Sequence, residues 1–124
     1  MSLIGKSVLV VEDDEDLRQL IERVFVAEGF RVRAAGDGMA ALHLVKEESP
    51  DLMVLDLMLP WINGIAVLRT VRQQPHLAAV PVVVTTGTAT SAYDLRSFAP
   101  IHVMHKPLDV DNLVGVARKL LETR

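Results

Sequence analysis

The segment Ser7-Val-Leu-Val-Val-Glu-Asp-Asp-Glu-Asp-Leu17 decides the fold, because its hydrophobic period changes along its length. Ser7–Val11 is an almost continuous apolar run of strand length, rich in Val, which is typical of a strand buried on both faces. Beyond Asp14, apolar side chains recur at the spacing of an amphipathic helix, at Leu17, Leu20, Ile21, Val24 and Phe25. Gly29 is expected to end this helix, so the segment predicts a strand, an acidic turn and a helix.

The same unit of strand and helix recurs along the chain. Apolar runs of strand length predict four more strands, at Phe30–Ala35, Asp51–Asp56, Pro81–Thr86 and Ile101–His105. Helical spacing and helix-start signals predict four more helices: from Asp37-Gly38 to about Glu47, after the Pro60–Gly64 loop, around Ser91–Phe98, and after the capping residue Asp109. Five strands alternating with five helices predict a parallel sheet covered on both faces, which is a doubly wound α/β fold.

Length and composition predict a single domain, residues 1–124, with an aliphatic core. Half of the residues are hydrophobic but only 4% are aromatic, so Val, Leu, Ile and Ala must fill the interior. The chain has no Cys, which excludes disulfides and thiolate metal sites and agrees with a cytoplasmic location. No apolar run approaches the roughly 20 residues of a membrane span, so we expect no membrane contact.

The net charge of -3 originates at one place in the sequence. Five acids form the run Glu12–Asp16, and the rest of the chain has 11 acids against 13 bases. Asp14, Glu15 and Asp16 are interpreted as ordinary helix-start acids, since such acids cap a helix and complement its dipole. The mild acidity of the whole chain argues against direct binding of nucleic acid.

Polar residues follow four of the five predicted strands at their carboxyl ends. Glu12-Asp13 follows the first strand, Asp56 ends the third, Thr86 ends the fourth and Lys106 follows the fifth. Taken singly, each has an ordinary explanation as a helix cap, a turn acid, a strand Thr or a surface Lys. Open α/β sheets bind their ligands at the carboxyl ends of the strands, and the conjunction therefore indicates a functional site.

The residue types at these strand ends predict a particular chemistry. Three neighbouring carboxylates repel one another and raise one another's pKa, and a divalent cation with oxygen ligands relieves that repulsion. Mg²⁺ is the expected ion when phosphate is also present. The ammonium of Lys106 and the hydroxyl of Thr86 then suit an anion beside the metal. The implied reaction is phosphoryl transfer to a carboxylate, with Asp56 as the nucleophile.

At these residues the chain resembles the response-regulator receiver domain of bacterial two-component signalling. The resemblance extends over essentially the whole length and is carried by Val8–Asp14, Asp51–Pro60 with Gly64, Pro81–Thr86, and Lys106-Pro107. Each segment is weak alone, but together, in order and at family-like spacing, they are specific. The resemblance implies a flavodoxin-like (βα)5 fold with a five-stranded parallel sheet of order 2-1-3-4-5.

The resemblance also implies roles for individual residues. Asp56 would be the phospho-acceptor, and Asp13 would ligate Mg²⁺ directly, with Glu12 acting through water. The backbone carbonyl of Met58 and the Asp56 carboxylate would complete the protein ligands. Thr86 and Lys106 would contact the phosphoryl oxygens after transfer.

Partners follow from the same resemblance. The phosphoryl donor would be a sensor histidine kinase or a phosphotransfer protein. The switch would act through the face formed by the fourth helix, fifth strand and fifth helix, which would bind a downstream effector or output domain. The chain would be a signalling domain whose own activities are self-phosphorylation and autodephosphorylation, with no direct nucleic-acid contact. Homodimer formation stays open.

Three features depart from the family pattern. Val103 stands where receivers commonly have a Tyr or Phe, and Gly87 stands where an Ala often follows the Thr. The spacing from Thr86 to Lys106 is about two residues shorter than usual, and this shortening falls on the predicted helix at Ser91–Phe98. The positions that influence phosphoryl lifetime are Met58 and Thr88; neither carries a strong base or amide, so we expect a fairly long-lived phosphorylated form.

Two other functions stay open at this point. A Mg²⁺-dependent phosphohydrolase would also use an aspartate nucleophile, but such enzymes usually have a second Asp at the position of Met58. A phosphorylation-independent interaction module is compatible with Val103 and with the short fourth helix. Trp61, in the loop after Asp56, is either a partner contact or an ordinary loop-packing residue.

Overall fold

A computed structural model describes residues 2–87 and 95–122. Its strands are β1 (Ser7–Val11), β2 (Arg31–Ala35), β3 (Leu52–Asp56), β4 (Val82–Thr86) and β5 (Ile101–His105). The α-helices in these ranges are α1 (Glu15–Ala27), α2 (Gly38–Glu47), α3 (Gly64–Gln73) and α4 (Val110–Glu122). Each strand is followed by its helix in the predicted order, apart from the segment between β4 and β5.

The five strands form one parallel sheet in the order β2-β1-β3-β4-β5, which confirms the predicted topology. Val10 of β1 lies in register with Val54 of β3, and Val54 in register with Val83 of β4. Strands β1, β3 and β4 are buried along their whole length, as a sheet covered on both faces requires. The carboxyl ends of these central strands therefore meet at one edge of the sheet.

Two aliphatic cores lie on opposite faces of the sheet, because successive strand residues point to opposite sides. Val8 and Val10 of β1 pack with α1 and α4, whose contributions include Ile21, Phe25, Leu113, Val114, Ala117 and Leu121. Leu9 and Val11 pack with α2 and α3, whose contributions include Ala41, Val45, Val67, Leu68 and Val71. Helices thus cover both faces of the sheet.

The helix ends carry the predicted capping groups. Asp14, Asp37 and Asp109 each accept a hydrogen bond from the backbone N–H three residues later, at 3.0, 2.8 and 3.1 Å. Asn63 caps α3 in the same way at 3.0 Å, although no cap was predicted for this helix. Gly29 has a φ of +95° just beyond α1, where an L side chain would be strained.

The predicted helix around Ser91–Phe98 falls largely outside the described residues. Its described end, Arg96–Phe98, is a single turn of 3-10 helix between β4 and β5. The helices that the structure describes are short, and the longest, α1 and α4, have 13 residues each. Within residues 2–87 and 95–122, none combines the length and apolar composition needed to cross a membrane.

Candidate functional site

The carboxyl edge of the sheet brings together the acids predicted from the strand ends. One carboxylate oxygen from each of Glu12, Asp13 and Asp56 lies within 4.8 Å of the other two. Glu12 and Asp56 are each 1% exposed, whereas Asp13 is exposed. The parallel pairing of β1 with β3 produces this cluster, because it places the ends of the two strands side by side.

Both oxygens of the Asp56 carboxylate are held by hydrogen-bond donors. Its Oδ1 accepts the backbone N–H of Met58 at 2.9 Å, and its Oδ2 accepts Lys106 Nζ at 3.0 Å. Met58 reaches the carboxylate through its backbone, and its side chain is 54% exposed. The two bonds therefore orient the carboxylate at the base of the site.

Lys106 bridges two buried acids at once. Its Nζ lies 2.7 Å from Glu12 Oε1 as well as 3.0 Å from Asp56 Oδ2. Burial lowers the pKa of Lys106, but the hydrogen bonds to Glu12 and Asp56 outweigh this effect and raise it above its usual value. The lysine therefore stays protonated and offsets part of the negative charge of the cluster.

Glu12 is the acid whose ionisation the site perturbs. Burial raises the pKa of Glu12 to about 7, and the nearby Asp56 charge acts in the same direction. The hydrogen bonds from Lys106 and from the Asp14 N–H, at 2.7 and 3.1 Å, oppose this effect without cancelling it. Near neutral pH the Glu12 carboxyl is therefore partly protonated while the cluster holds no cation.

Thr86 occupies the predicted strand end but is not in the carboxylate cluster. It ends β4 one residue beyond the pair formed by Asp56 and Thr85, and it is 1% exposed. Its backbone oxygen accepts the N–H of Lys106 at 2.8 Å, so the ends of β4 and β5 are joined directly beside the site. Val103 lies in β5, in register with Val84, and packs against the aliphatic core on the side of α2 and α3.

Two further residues support the site: Arg18, which the sequence did not single out, and Gly64, which carries part of the family resemblance. Arg18 of α1 donates a 3.0 Å hydrogen bond to the backbone oxygen of Glu12, which fixes the turn after β1. A Cβ placed on Gly64 would overlap the backbone oxygen of Asp56 and lie 2.6 Å from the Leu57 Cα. Gly64 is therefore required because the start of α3 passes against the backbone at the end of β3.

The sequence matches the family described as "Response regulator receiver domain" over residues 8–118. This chain belongs to the receiver-domain family. Receiver domains are signalling domains of the response regulators in two-component systems, and they generally bind Mg²⁺ at an acidic pocket. The family assignment and the fold predicted from the sequence are both confirmed.

Individual receiver proteins share different amounts of this sequence. The DNA-binding response regulator MtrA of Mycolicibacterium smegmatis is 39% identical over 121 residues, which cover 98% of this chain and 53% of MtrA. This chain thus spans about half the length of the MtrA proteins it matches. Sporulation initiation phosphotransferase F of Bacillus subtilis is 27% identical, and the match covers 96% of each chain.

A solved receiver structure has the same fold. The receiver domain of the Francisella response regulator 1452 superposes with a TM-score of 0.85 and 27% identity. The superposition covers 96% of this receiver and 98% of the Francisella chain. The agreement in fold therefore extends over nearly the whole chain.

Proposed function

We propose that this receiver is a phospho-acceptor switch in which Asp56 takes a phosphoryl group from a phosphohistidine. The donor is a sensor histidine kinase or a phosphotransfer protein, and the reaction depends on Mg²⁺. The observation that carries the proposal is the buried Asp56 carboxylate, held by Lys106 and the Met58 N–H beside two further acids. The match to a protein named a phosphotransferase, over 96% of both chains, supports it.

The reaction requires one bond to form and one to break. An oxygen of the Asp56 carboxylate attacks the phosphorus, and a P–O bond forms as the P–N bond to the donor imidazole breaks. The imidazole leaves with the electron pair of that bond and is neutral when its other nitrogen carries a proton. The hydrogen bonds to Asp56 keep its carboxylate oriented for attack, which lowers the entropic part of the barrier.

The cluster offers the ligands that Mg²⁺ requires. Carboxylate oxygens of Glu12, Asp13 and Asp56 converge within 4.8 Å, and such hard oxygen donors fit this ion. Asp13 and Asp56 would bind directly, Glu12 through water, and the backbone carbonyl of Met58 would add a further ligand. The bound ion would supply charge neutralisation for the phosphoryl oxygens.

Lys106 and Thr86 are the proposed contacts of the transferred group. The Lys106 ammonium already lies 3.0 Å from Asp56 Oδ2, so it is close to the oxygen that would carry or flank the phosphoryl group. The Thr86 hydroxyl would bind a phosphoryl oxygen from the neighbouring strand. Val103 has no aromatic ring that could rotate when Thr86 moves. We therefore propose that the conformational change caused by phosphorylation reaches the face formed by β5 and α4 through the ends of β4 and β5.

The biological setting is part of the proposal. The chain acts in the cytoplasm, where kinases form phosphohistidine from ATP, and its phosphorylated form binds a downstream effector or output domain. It makes no direct contact with nucleic acid. A phosphohydrolase is disfavoured because Met58, at the position of the usual second Asp, carries no acid or base.

Intact-mass measurement tests the proposal. After incubation with acetyl phosphate and Mg²⁺, we expect a single phosphoryl adduct on the wild type and none on Asp56→Asn. Omitting Mg²⁺ or adding EDTA should remove the adduct from the wild type. If neither acetyl phosphate nor a phosphorylated histidine protein labels the wild type, the domain is a phosphorylation-independent interaction module.

The lifetime of the adduct is a separate hypothesis. Met58 has no base or amide that could orient water for hydrolysis, and Thr88, the second relevant position, lies outside the described residues. We therefore propose that autodephosphorylation is slow. The measurement is the rate at which the adduct decays in Mg²⁺ buffer after acetyl phosphate is removed. A half-life of seconds would contradict this hypothesis.

A further inference from the structure

Glu12 is held at its backbone as well as at its side chain. Its two carboxylate oxygens accept the Lys106 ammonium at 2.7 Å and the Asp14 N–H at 3.1 Å. Its own N–H donates to the backbone oxygen of Ala35, at the end of β2, at 3.1 Å. Its backbone oxygen accepts Nη1 of Arg18 at 3.0 Å. The turn after β1 is therefore tied to β2, to α1 and to the end of β5.

The bond from Arg18 takes the place of a sheet hydrogen bond. In a parallel ladder, a residue that donates to one residue of the neighbouring strand accepts from the residue two positions further along that strand. Glu12 donates to Ala35, so its oxygen would accept the N–H of Asp37 if β2 continued. However, β2 ends at Ala35, and Asp37 is the N-cap of α2. The guanidinium of Arg18 therefore satisfies a backbone oxygen that the sheet leaves without its usual donor.

Gly36 leaves room for this guanidinium. A Cβ built on Gly36 would lie 3.1 Å from Nη1 and 3.7 Å from Cζ of the half-buried Arg18. The described glycines with a positive φ are Gly5 and Gly29, so the backbone conformation does not require glycine at position 36. The space occupied by the Arg18 side chain is the structural reason for Gly36.

The turn that Arg18 holds carries two of the proposed metal ligands. Asp13 directly follows the residue whose oxygen Arg18 binds, and one of its carboxylate oxygens lies within 4.8 Å of those of Glu12 and Asp56. Mg²⁺ demands near-octahedral geometry with short bonds to oxygen, so a small displacement of this turn should weaken its binding. The position of the turn backbone is therefore a determinant of metal affinity.

We infer that Arg18 is a positioning residue for the proposed Mg²⁺ site. Its guanidinium, lying against Gly36, holds the turn after β1 so that Glu12 and Asp13 converge with Asp56. Arg18 acts through the backbone oxygen of Glu12 and binds neither the metal nor the phosphoryl group. This inference rests on the proposed function, because it concerns the same metal site. Mutation of groups that orient metal ligands typically lowers metal affinity by about 10- to 100-fold.

Calorimetric titration with Mg²⁺ at one fixed pH tests the inference without requiring phosphorylation. Arg18→Met removes the donor and the charge but keeps an unbranched apolar stem, whereas Arg18→Lys keeps the charge and a shorter donor. Arg23→Met removes the same charge from an exposed position of α1 and is the matched control. We expect the Kd for Mg²⁺ to rise by about 10-fold in Arg18→Met, by less in Arg18→Lys, and by less than about 2-fold in Arg23→Met.

Gly36→Ala tests the contact that seats the guanidinium. The new Cβ should displace the Arg18 side chain, so we expect a Kd raised by roughly 3-fold although every ligand and Arg18 itself are present. The double variant Arg18→Met with Gly36→Ala should bind Mg²⁺ as Arg18→Met does, because the group that Gly36 accommodates is already gone. Additive losses would show that Gly36 acts independently and would overturn this part of the inference.

The rate of phosphorylation by acetyl phosphate separates positioning of the metal ligands from a direct catalytic role. At low Mg²⁺, Arg18→Met should be labelled more slowly than the wild type, and the two rates should converge as Mg²⁺ saturates both proteins. A slower rate at saturating Mg²⁺, together with an unchanged Kd, would contradict positioning. Urea unfolding in EDTA provides the structural comparison, because a purely structural role would lower stability and leave the Kd for Mg²⁺ unchanged.

Two other outcomes would overturn the inference. One is wild-type Mg²⁺ affinity in folded Arg18→Met, and the other is an equal loss of affinity in Arg23→Met, which would assign the effect to the charge of α1. If Arg18→Met does not fold, Arg18→Lys and Gly36→Ala decide the question, and wild-type affinity in both would refute the inference.

Failure of the proposed function gives a different result. A wild type that binds Mg²⁺ but is not labelled at Asp56 would contradict the phospho-acceptor role, while the comparison of Mg²⁺ affinities would still support positioning by Arg18. A wild type that binds no Mg²⁺ would overturn the proposed metal site and this inference together.

Discussion

Lys106 donates a 2.7 Å hydrogen bond to Glu12, although 94 residues separate them in the sequence. The same Nζ binds Asp56, so one ammonium neutralises part of a cluster that holds three carboxylates. The proposed contact between Lys106 and a phosphoryl group would therefore replace existing bonds to Glu12 and Asp56. The site therefore has an internal counter-charge while no cation is bound.

Removing the ammonium should destabilise the metal-free protein. Lys106→Met leaves Glu12 and Asp56 buried without their partner, and we expect the free energy of unfolding to fall by about 2 kcal/mol in EDTA. Mg²⁺ should restore part of this loss by neutralising the same acids. Urea unfolding with and without Mg²⁺ measures both effects. Lys46→Met, at an exposed position of α2, is the control and should change little; equal losses for both variants would contradict the prediction.

Removing one acid should have the opposite effect. Asp13→Asn takes a charge out of the carboxylate cluster, so the metal-free variant should melt a few degrees above the wild type. Mg²⁺ should raise the melting temperature of the wild type but not that of the variant, because Asp13 is a proposed direct ligand. Thermal melting in EDTA and in Mg²⁺ tests this. Glu122→Gln removes an exposed acid elsewhere and should keep the full Mg²⁺ response; a clear destabilisation by Asp13→Asn would exclude repulsion in the cluster.

The stability of the metal-free domain should depend on pH through Glu12. The pKa of Glu12 is raised by burial from 4.5 to about 7 in the folded protein, so the folded state binds more protons than the unfolded state between these values. Its contribution to stability is therefore present below pH 4.5 and is lost as the pH rises toward about 7. Urea unfolding in EDTA across this window should show the decrease, and Glu12→Gln should remove it.

The same ionisation should control metal binding. Because protons and Mg²⁺ compete for Glu12, the apparent affinity for Mg²⁺ should increase as the pH rises through about 7. Calorimetric titration with Mg²⁺ on either side of neutrality measures the change. An affinity in Glu12→Gln that depends on pH as steeply as that of the wild type would assign the effect to another group.

Adding one methyl group at Gly64 should disturb both the fold and the site. Its Cβ would overlap the backbone oxygen of Asp56, so we expect Gly64→Ala to lower the free energy of unfolding by about 2–4 kcal/mol. Phosphorylation by acetyl phosphate should slow, since the backbone of Asp56, the proposed acceptor, must shift. Gly115→Ala, in α4 with no atom within 4 Å of the new Cβ, is the matched control and should stabilise by about 0.5–1 kcal/mol. Equal stability of the two variants would refute the close contact.

Arg72 should stabilise the fold without affecting the chemistry. Its guanidinium donates four hydrogen bonds of 2.7–3.1 Å to backbone oxygens on either side of β4, at Leu77, Val80, Phe98 and Pro100. Arg72→Met leaves these oxygens without their donor, and we expect a loss of about 3 kcal/mol in urea unfolding. Arg69→Met, at an exposed position one turn earlier in α3, is the control. The folded Arg72→Met protein should accept phosphoryl from acetyl phosphate at the wild-type rate; a slower rate would show that Arg72 acts on the site.

The elements with strong local patterns were predictable from the sequence. Strand and helix bounds agree with the prediction to within a residue or two wherever apolar periodicity is clear, as in Ser7–Val11 and the helix that follows. Asp14, Asp37 and Asp109 act as caps because capping depends on backbone groups only three residues away. The weakly patterned helix at Ser91–Phe98 is the exception, since its described end is only a 3-10 turn.

The sequence by itself determined the alternation of strands and helices, the placement of polar residues at strand ends, and, through resemblance, the family. These features depend on residue type and short-range spacing, which a chain carries without folding. Only the tertiary structure decided that Lys106 bridges Glu12 and Asp56, that Gly64 passes against the Asp56 backbone, and that Arg72 binds loops on either side of β4. The physical reason is that parallel strands are joined by crossovers, so contacts between their ends depend on the packing of whole elements and leave no periodic signal along the chain.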